Sequence, residues 1–195
     1  IMFIPAGHPE THLYVENVIH SGWNHVAVTY DGEVSRIYFD GDLVSSRDIT
    51  SSHNLSDDDN PFLFGKRDGH ADATFDGILD EVVIWEYSLP ATSISELYSA
   101  NNPHPVAHWK FDEGSGDIAY DSSGNNNNGT LYGDIEWVDG ISGSALEFDG
   151  VDDYVEVAHD SAFNETVVTI SAWIKVDDNE TVNVIVDKHY DGKGY

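Results

Sequence analysis

The chain of 195 residues contains no cysteine, one methionine and only eight basic residues. Without cysteine there is no disulfide framework and no thiolate metal site, and the redox compartment stays open. Eight Lys and Arg against 36 Asp and Glu give a formal charge of −28. A field of that sign repels nucleic acid and anionic lipid, which excludes both as partners, and it attracts cations. No apolar run approaches the ~20 residues that cross a bilayer, so membrane insertion is excluded as well. Ile1 to Ile4 is apolar but has no basic flank, and it does not read as a signal peptide. What is present is an apolar fraction of 40%, ample for a core, in a chain as long as one β-sandwich.

The patterning is that of strands and turns. Residues 1–4 and 13–19 read as strands, with a turn at residues 5–9 between them. GWNHVAVTYDG (22–32) alternates with bulk on both faces, as in a central strand of a two-layer sandwich. Arg36 to Phe39, a tight turn at Asp40-Gly41 and Leu43 to Ser46 form a hairpin. Residues 51–61 and 68–76 are polar loops that flank a short strand at 62–65. DGILDEVVIWEY (76–87) reads as a buried strand. A short helix follows, with Ser93 and Glu96 as a capping box and Ile94, Leu97 and Tyr98 on one face. It ends at a linker, residues 101–105, bracketed by Pro103 and Pro105. Beyond the linker, strands are predicted at 106–112, 130–138, 145–148, 154–157, 167–176 and 182–187. Roughly a dozen short strands and one helix indicate an all-β sandwich.

Few residues carry a chemistry that enzymes use. His8-Pro9-Glu10-Thr11-His12 has the wrong order for a zinc-protease helix, and Pro9 breaks the helix it would need. Glycoside hydrolysis needs two carboxylates flanking the bond. On the strand at 76–87, Glu81 and Glu86 face opposite ways, and Asp80 and Glu86 share a face that looks buried. No nucleophile elbow or phosphate loop appears. The loop DSSGNNNNGT (121–130) is dense in oxygens, with Asp121, Asn125 to Asn128 and carbonyls freed by Gly124 and Gly129, which is what a hard cation such as calcium takes. Asp57-Asp58-Asp59-Asn60 is a second, glycine-free candidate. Four sequons, at Asn54, Asn128, Asn164 and Asn179, fall in predicted loops or strand ends where a glycan fits.

Three stretches, WKFDEGSG (109–116), DSSGNNNNGTL (121–131) and W-x-x-G-x-x-G-x-A-L-x-F-D-G (137–150), resemble the opening of a laminin-G-like, concanavalin A-type jelly roll of bacterial and archaeal extracellular proteins. The stretch 23–100, with WNHVAVTYDG and RIYFDG, resembles the ending of the same family. The order is therefore circularly shifted: residues 1–100 resemble a C-terminal half and residues 106–195 an N-terminal half. Joined end to start, the sequence runs on from the strand at 182–187 through a turn at Asp191-Gly192 into residues 1–4. Two arrangements satisfy this, one period of a tandem or polymeric array, or a single domain closed as a circular permutant. The resemblance implies a concanavalin A-like jelly-roll sandwich with one short helix, in an extracellular or cell-surface setting. It also implies calcium held by Asp121, Asn126 and Gly129 with Asp80 and Glu81 of the closing strand opposite. Tyr132, Tyr154, Tyr190 and Trp137 are the aromatics that an adjoining glycan site would use. The function expected is a non-enzymatic structural or adhesive repeat whose partners are other copies of itself, in an array or surface filament. The alternative is a calcium-dependent carbohydrate-binding, lectin-like module.

Overall fold

The computed structural model describes residues 2–4, 13–14, 20–48, 61–67, 73–95, 97, 105–163, 167–177 and 184–188. In chain order the strands are β1 (Met2–Ile4), β2 (Leu13–Tyr14), β3 (Asn24–Tyr30), β4 (Val34–Phe39), β5 (Asp42–Asp48), β6 (Phe62–Phe64) and β7 (Asp76–Trp85). The helix α1 (Ala91–Ser95) follows, then β8 (Ala107–Trp109), β9 (Ile118–Ala119), β10 (Gly129–Tyr132) and β11 (Glu136–Asp139). The last are β12 (Ser144–Asp149), β13 (Tyr154–Val157), β14 (Val168–Val176) and β15 (Val184–Lys188), with a 3₁₀ turn at Ser161–Phe163 before β14.

The described strands make two sheets, in the orders β2-β1-β15-β6-β13-β10-β9 and β11-β12-β7-β14-β3-β4-β5, with β8 also paired to β7. Between them lies one core. Val26, Val28, Leu79, Val82, Ile84, Leu146, Phe148, Ile170, Ala172 and Ile174 come to it from the second sheet, and Phe62, Phe64, Val155, Val157, Ile185 and Val186 from the first. Trp109 is fully buried at its centre, edge-on to Phe64 at 4.9 Å, and its indole N–H donates to the Asn127 carbonyl at 2.7 Å. The bulk on the other face of β3 is explained by α1, which packs Ile94 with Ala27, Tyr38, Trp85 and Leu89 on the outside of the second sheet.

Both halves of the sequence supply both sheets. β7, from residues before the linker, pairs with β12, β14 and β8 from residues after it. β6 likewise lies between β13 and β15. Among the described residues the one parallel pair is β1 with β15. A hairpin through Asp191-Gly192 would set these two strands antiparallel, because a short turn cannot join parallel neighbours.

Local differences from the sequence reading have physical reasons. Residues 130–138 are two strands in different sheets, β10 and β11, because Gly133 with a φ of +90° turns the chain between them. The helix begins at Ala91 rather than at Ser93, whose N–H donates to the Pro90 carbonyl. Proline presets the entry to a first turn and Ser93 then lies within it. On β7 the alternation slips by one residue. Trp173 stands opposite Asp80 and Ser171 opposite Val83, so Glu81 and Val82 share one partner in a bulge, with Glu81 at a φ of +50°.

Candidate functional site

The Asn-rich loop is a structural clamp. The Asp121 carboxylate accepts the N–H groups of His108, Ser123 and Asn127 and the Ser123 hydroxyl. Ser123, Asn125 and Asn127 side chains all donate to the Val106 carbonyl. The loop is thereby fixed over the strand that carries Trp109. Asn126 is exposed with a φ of +62°, a conformation asparagine tolerates. Gly129 opens β10 against Val157 and Ala119.

The carboxylates expected opposite turn to other partners. Asp80 is fully buried and accepts the N–H groups of Glu81, Ile141 and Ser142. Burial raises its pKa from 3.8 to about 6 despite those bonds. Gly140 leaves it room, since a Cβ there would lie 2.4 Å from Asp80 Oδ2. Glu81, re-aimed by the bulge, meets His108 Nε2 at 2.5 Å. Glu81 and Asp121 thus both engage His108, through its ring and its backbone N–H, while Asp80 turns to the turn at residues 141–142. Of the sequons, Asn128 is exposed, and its Oδ1 accepts the Asp121 N–H at 2.9 Å. Asn54, Asn164 and Asn179 lie outside the described residues, as do residues 57–60, His8, His12 and Tyr190.

A cleft of about 400 Å³ collects carboxylates that the sequence alone does not group. Asp76 from β7 and Glu147 and Asp149 from β12 line it with Glu136 from β11, joined by Asp134, Asp153 and Asp177. Register sets like charges directly opposite one another twice, Glu136 against Glu147 and Asp149 against Asp76. Such pairs are destabilising unless something between them relieves the repulsion. Carboxylate oxygens of Asp149, Asp152 and Asp153 come within 4.8 Å of one another. Asp153, 2% exposed, accepts N–H groups from Asp134 and Asp149 at 2.8 and 2.9 Å. Its pKa is raised, by burial first and then by Asp149 and Asp152.

Two of the predicted aromatics lie within two residues, along the chain, of residues that line this cleft. Tyr132 and Tyr154 are register partners on β10 and β13, and their rings stack at 4.8 Å with 10° between planes. Lys66, just past β6, places its ammonium 4.6 Å from the Tyr154 ring centre. Because β6, β13 and β10 are neighbours, Lys66, Tyr154 and Tyr132 form a row across three strands. β9 pairs with β10 only as far as Ile118 opposite Thr130, so two residues on, the position facing Tyr132 is Gly116. A Cβ at Gly116 would meet nothing within 4 Å. Tyr132, at the end of the row, is 41% exposed. Gly133 ties row to cleft, since a Cβ there would lie 2.2 Å from Asp153 Oδ1. Trp137 is not part of the row; it packs on the core and its indole N–H donates to the Gly116 carbonyl. Sequence reasoning found the two tyrosines and missed Lys66, Gly116 and the cleft. Glu136 and Glu147 become neighbours only through the pairing of β11 with β12.

Among the described residues no helix is long and apolar enough to cross a membrane. Neither a curated protein nor a solved structure matches the chain. Residues 116–195 match the family described as Clostridium neurotoxin, N-terminal receptor binding. Residues 6–95 match the family described as Concanavalin A-like lectin/glucanases superfamily. With two mainly antiparallel sheets around one core and that match over residues 6–95, the chain has the concanavalin A-like, laminin-G-like jelly-roll fold of this superfamily.

Proposed function

We propose that the chain is a non-enzymatic structural or adhesive binding module of an extracellular or cell-surface protein, and that the tyrosine corner is its ligand-facing surface. The observation that carries the reading is the row Lys66–Tyr154–Tyr132, held on three strands with Tyr132 exposed at its end. Aromatic faces of this kind take the apolar face of a sugar ring, and rigid tyrosines do so at little entropic cost. The two matched families, one named for lectins and one for receptor binding, support a binding role over both halves of the chain. The test is a glycan array probed with the wild-type chain and with Tyr132→Leu. Retention that Tyr132→Leu loses supports the reading, and hydrolysis of any member of a polysaccharide panel contradicts it.

Two further parts belong to the proposal. Calcium is its proposed cofactor: besides the set expected from the sequence, Asp121, Asn126, Gly129, Asp80 and Glu81, the acidic cleft offers it carboxylate oxygens where Glu136 faces Glu147 and Asp149 faces Asp76. Other copies of the chain are partners in an array or filament. The support is that neither half closes its own sheets: β7 needs β12, β14 and β8. One chain meets that need internally, as the circular permutant would, and in a strand-exchanged array successive copies would meet it. Electron microscopy of the native material tests the array, with filaments expected and isolated particles counting against it.

A further inference from the structure

The tyrosine corner also has a charge preference. Tyr132 leads through Gly133 to Asp134, and Tyr154 follows directly on Asp153, so both tyrosines are chain neighbours of residues that line the acidic cleft. One ammonium, that of Lys66, already lies over one end of the stack. The ring quadrupole attracts a cation to either outer face. At the other end Tyr132 is 41% exposed, and continuing the register of β9 and β10 places Gly116 at the neighbouring position. We propose that this open face takes a pyranose carrying a free amino group, an amino-sugar unit, and that it rejects glycans bearing carboxylate or sulfate.

The proposal rests on the glycan reading above and adds its chemical class. The apolar side of the ring lies on Tyr132, which would fix position. The ammonium would enter the field of a chain at −28, with Asp134 two residues along from Tyr132, which would fix charge. An anionic sugar at the same place meets a repulsive field, since the chain carries −28. Neutral sugars keep the ring contact and lose only the charge term.

The experiment compares three oligosaccharides of similar length by calorimetry: a glucosamine oligomer, its N-acetylated counterpart and a glucuronate-containing oligomer. N-acetylation removes the charge and keeps the ring. At low ionic strength the glucosamine oligomer should bind about five- to tenfold more tightly than the N-acetylated one, and the glucuronate oligomer should not bind. The gap should close in high salt. Tyr132→Leu should abolish binding of the first two, whereas Tyr132→Phe, which keeps the ring, should retain it. If Tyr132→Leu still binds the glucosamine oligomer, the attraction is polyelectrolyte contact with the surface at large and the proposal fails. Equal binding of charged and neutral oligomers, or preference for glucuronate, would overturn the class while leaving the glycan reading in place. Binding of none of the three by the folded wild-type chain overturns both.

Discussion

Replacing Glu147 by Gln removes one charge from the acidic cleft and barely changes shape. Glu147 stands opposite Glu136, in the strand next to the one carrying Asp76. Side chains directly opposite in a sheet stand about 5 Å apart at Cβ. Two unit charges at that distance repel by about 0.8 kcal/mol in a water-like medium, less once salt screens them. Glu147→Gln should therefore stabilise the chain by about 0.5–1 kcal/mol in chelator at low ionic strength. For a domain of this size, that corresponds to roughly 1–4 °C in Tm. With calcium the ranking should invert. A cation bound a hundredfold above its Kd stabilises the wild type by about 2.7 kcal/mol, and a variant with one fewer carboxylate forfeits part of it. Differential scanning calorimetry of both proteins, with chelator and with excess calcium, reads both effects. A variant less stable than wild type in chelator would refute the repulsion argument. Equal responses of the two proteins to calcium would remove the cation from the cleft.

Other expectations follow from single residues. Trp109→Ala should cost about 3–5 kcal/mol in urea unfolding, since it empties the centre of the core and strips the Asn127 carbonyl of its donor; a cost below 1 kcal/mol would contradict that placement. Asp80 has a folded pKa of about 6 against 3.8, so the native state binds the extra proton between those values. Its contribution is therefore complete below about pH 4 and is lost as pH rises through 6, by up to about 3 kcal/mol; Asp80→Asn should flatten that part of the pH profile, and an unchanged slope would refute the assignment. Gly140→Ala should destabilise by about 1–3 kcal/mol, because its Cβ would press on Asp80 Oδ2 and the Ser144 carbonyl; a neutral result in denaturant melts would show that the turn yields freely. Peptide masses from native material should show a glycan on Asn128, whose Nδ2 can carry it while Oδ1 keeps the Asp121 N–H; unmodified peptide throughout would overturn this.

Much of the fold was legible because alternation and turn chemistry are local. The central β3, the Asp40-Gly41 hairpin and the inward set Val168, Ile170, Ala172 and Ile174 on β14 follow from period two and from glycine at positive φ. The bulge at Glu81 was not legible, since it arises from how β7 meets β14 and leaves no mark in composition. The Asn-rich loop shows why a motif does not assign its own role. Oxygen density fits a cation, yet the Asp121 carboxylate accepts three backbone N–H groups that hold the loop over Trp109. The tyrosines were visible as aromatics, but their stacking depends on β10 meeting β13 in register. The acidic cleft depends in the same way on β11, β12 and β7. Long-range pairing decides which charges become neighbours, and sequence spacing does not encode it.

The account turns on the tyrosine corner as a surface that binds. The most direct measurement is a glycan array read in parallel with wild type, Tyr132→Leu and Tyr132→Phe, each first shown to unfold cooperatively. The account predicts retention on a subset of glycans by wild type and Tyr132→Phe, and loss of that subset by Tyr132→Leu. Identical patterns for all three proteins, or no retention by any, would contradict it.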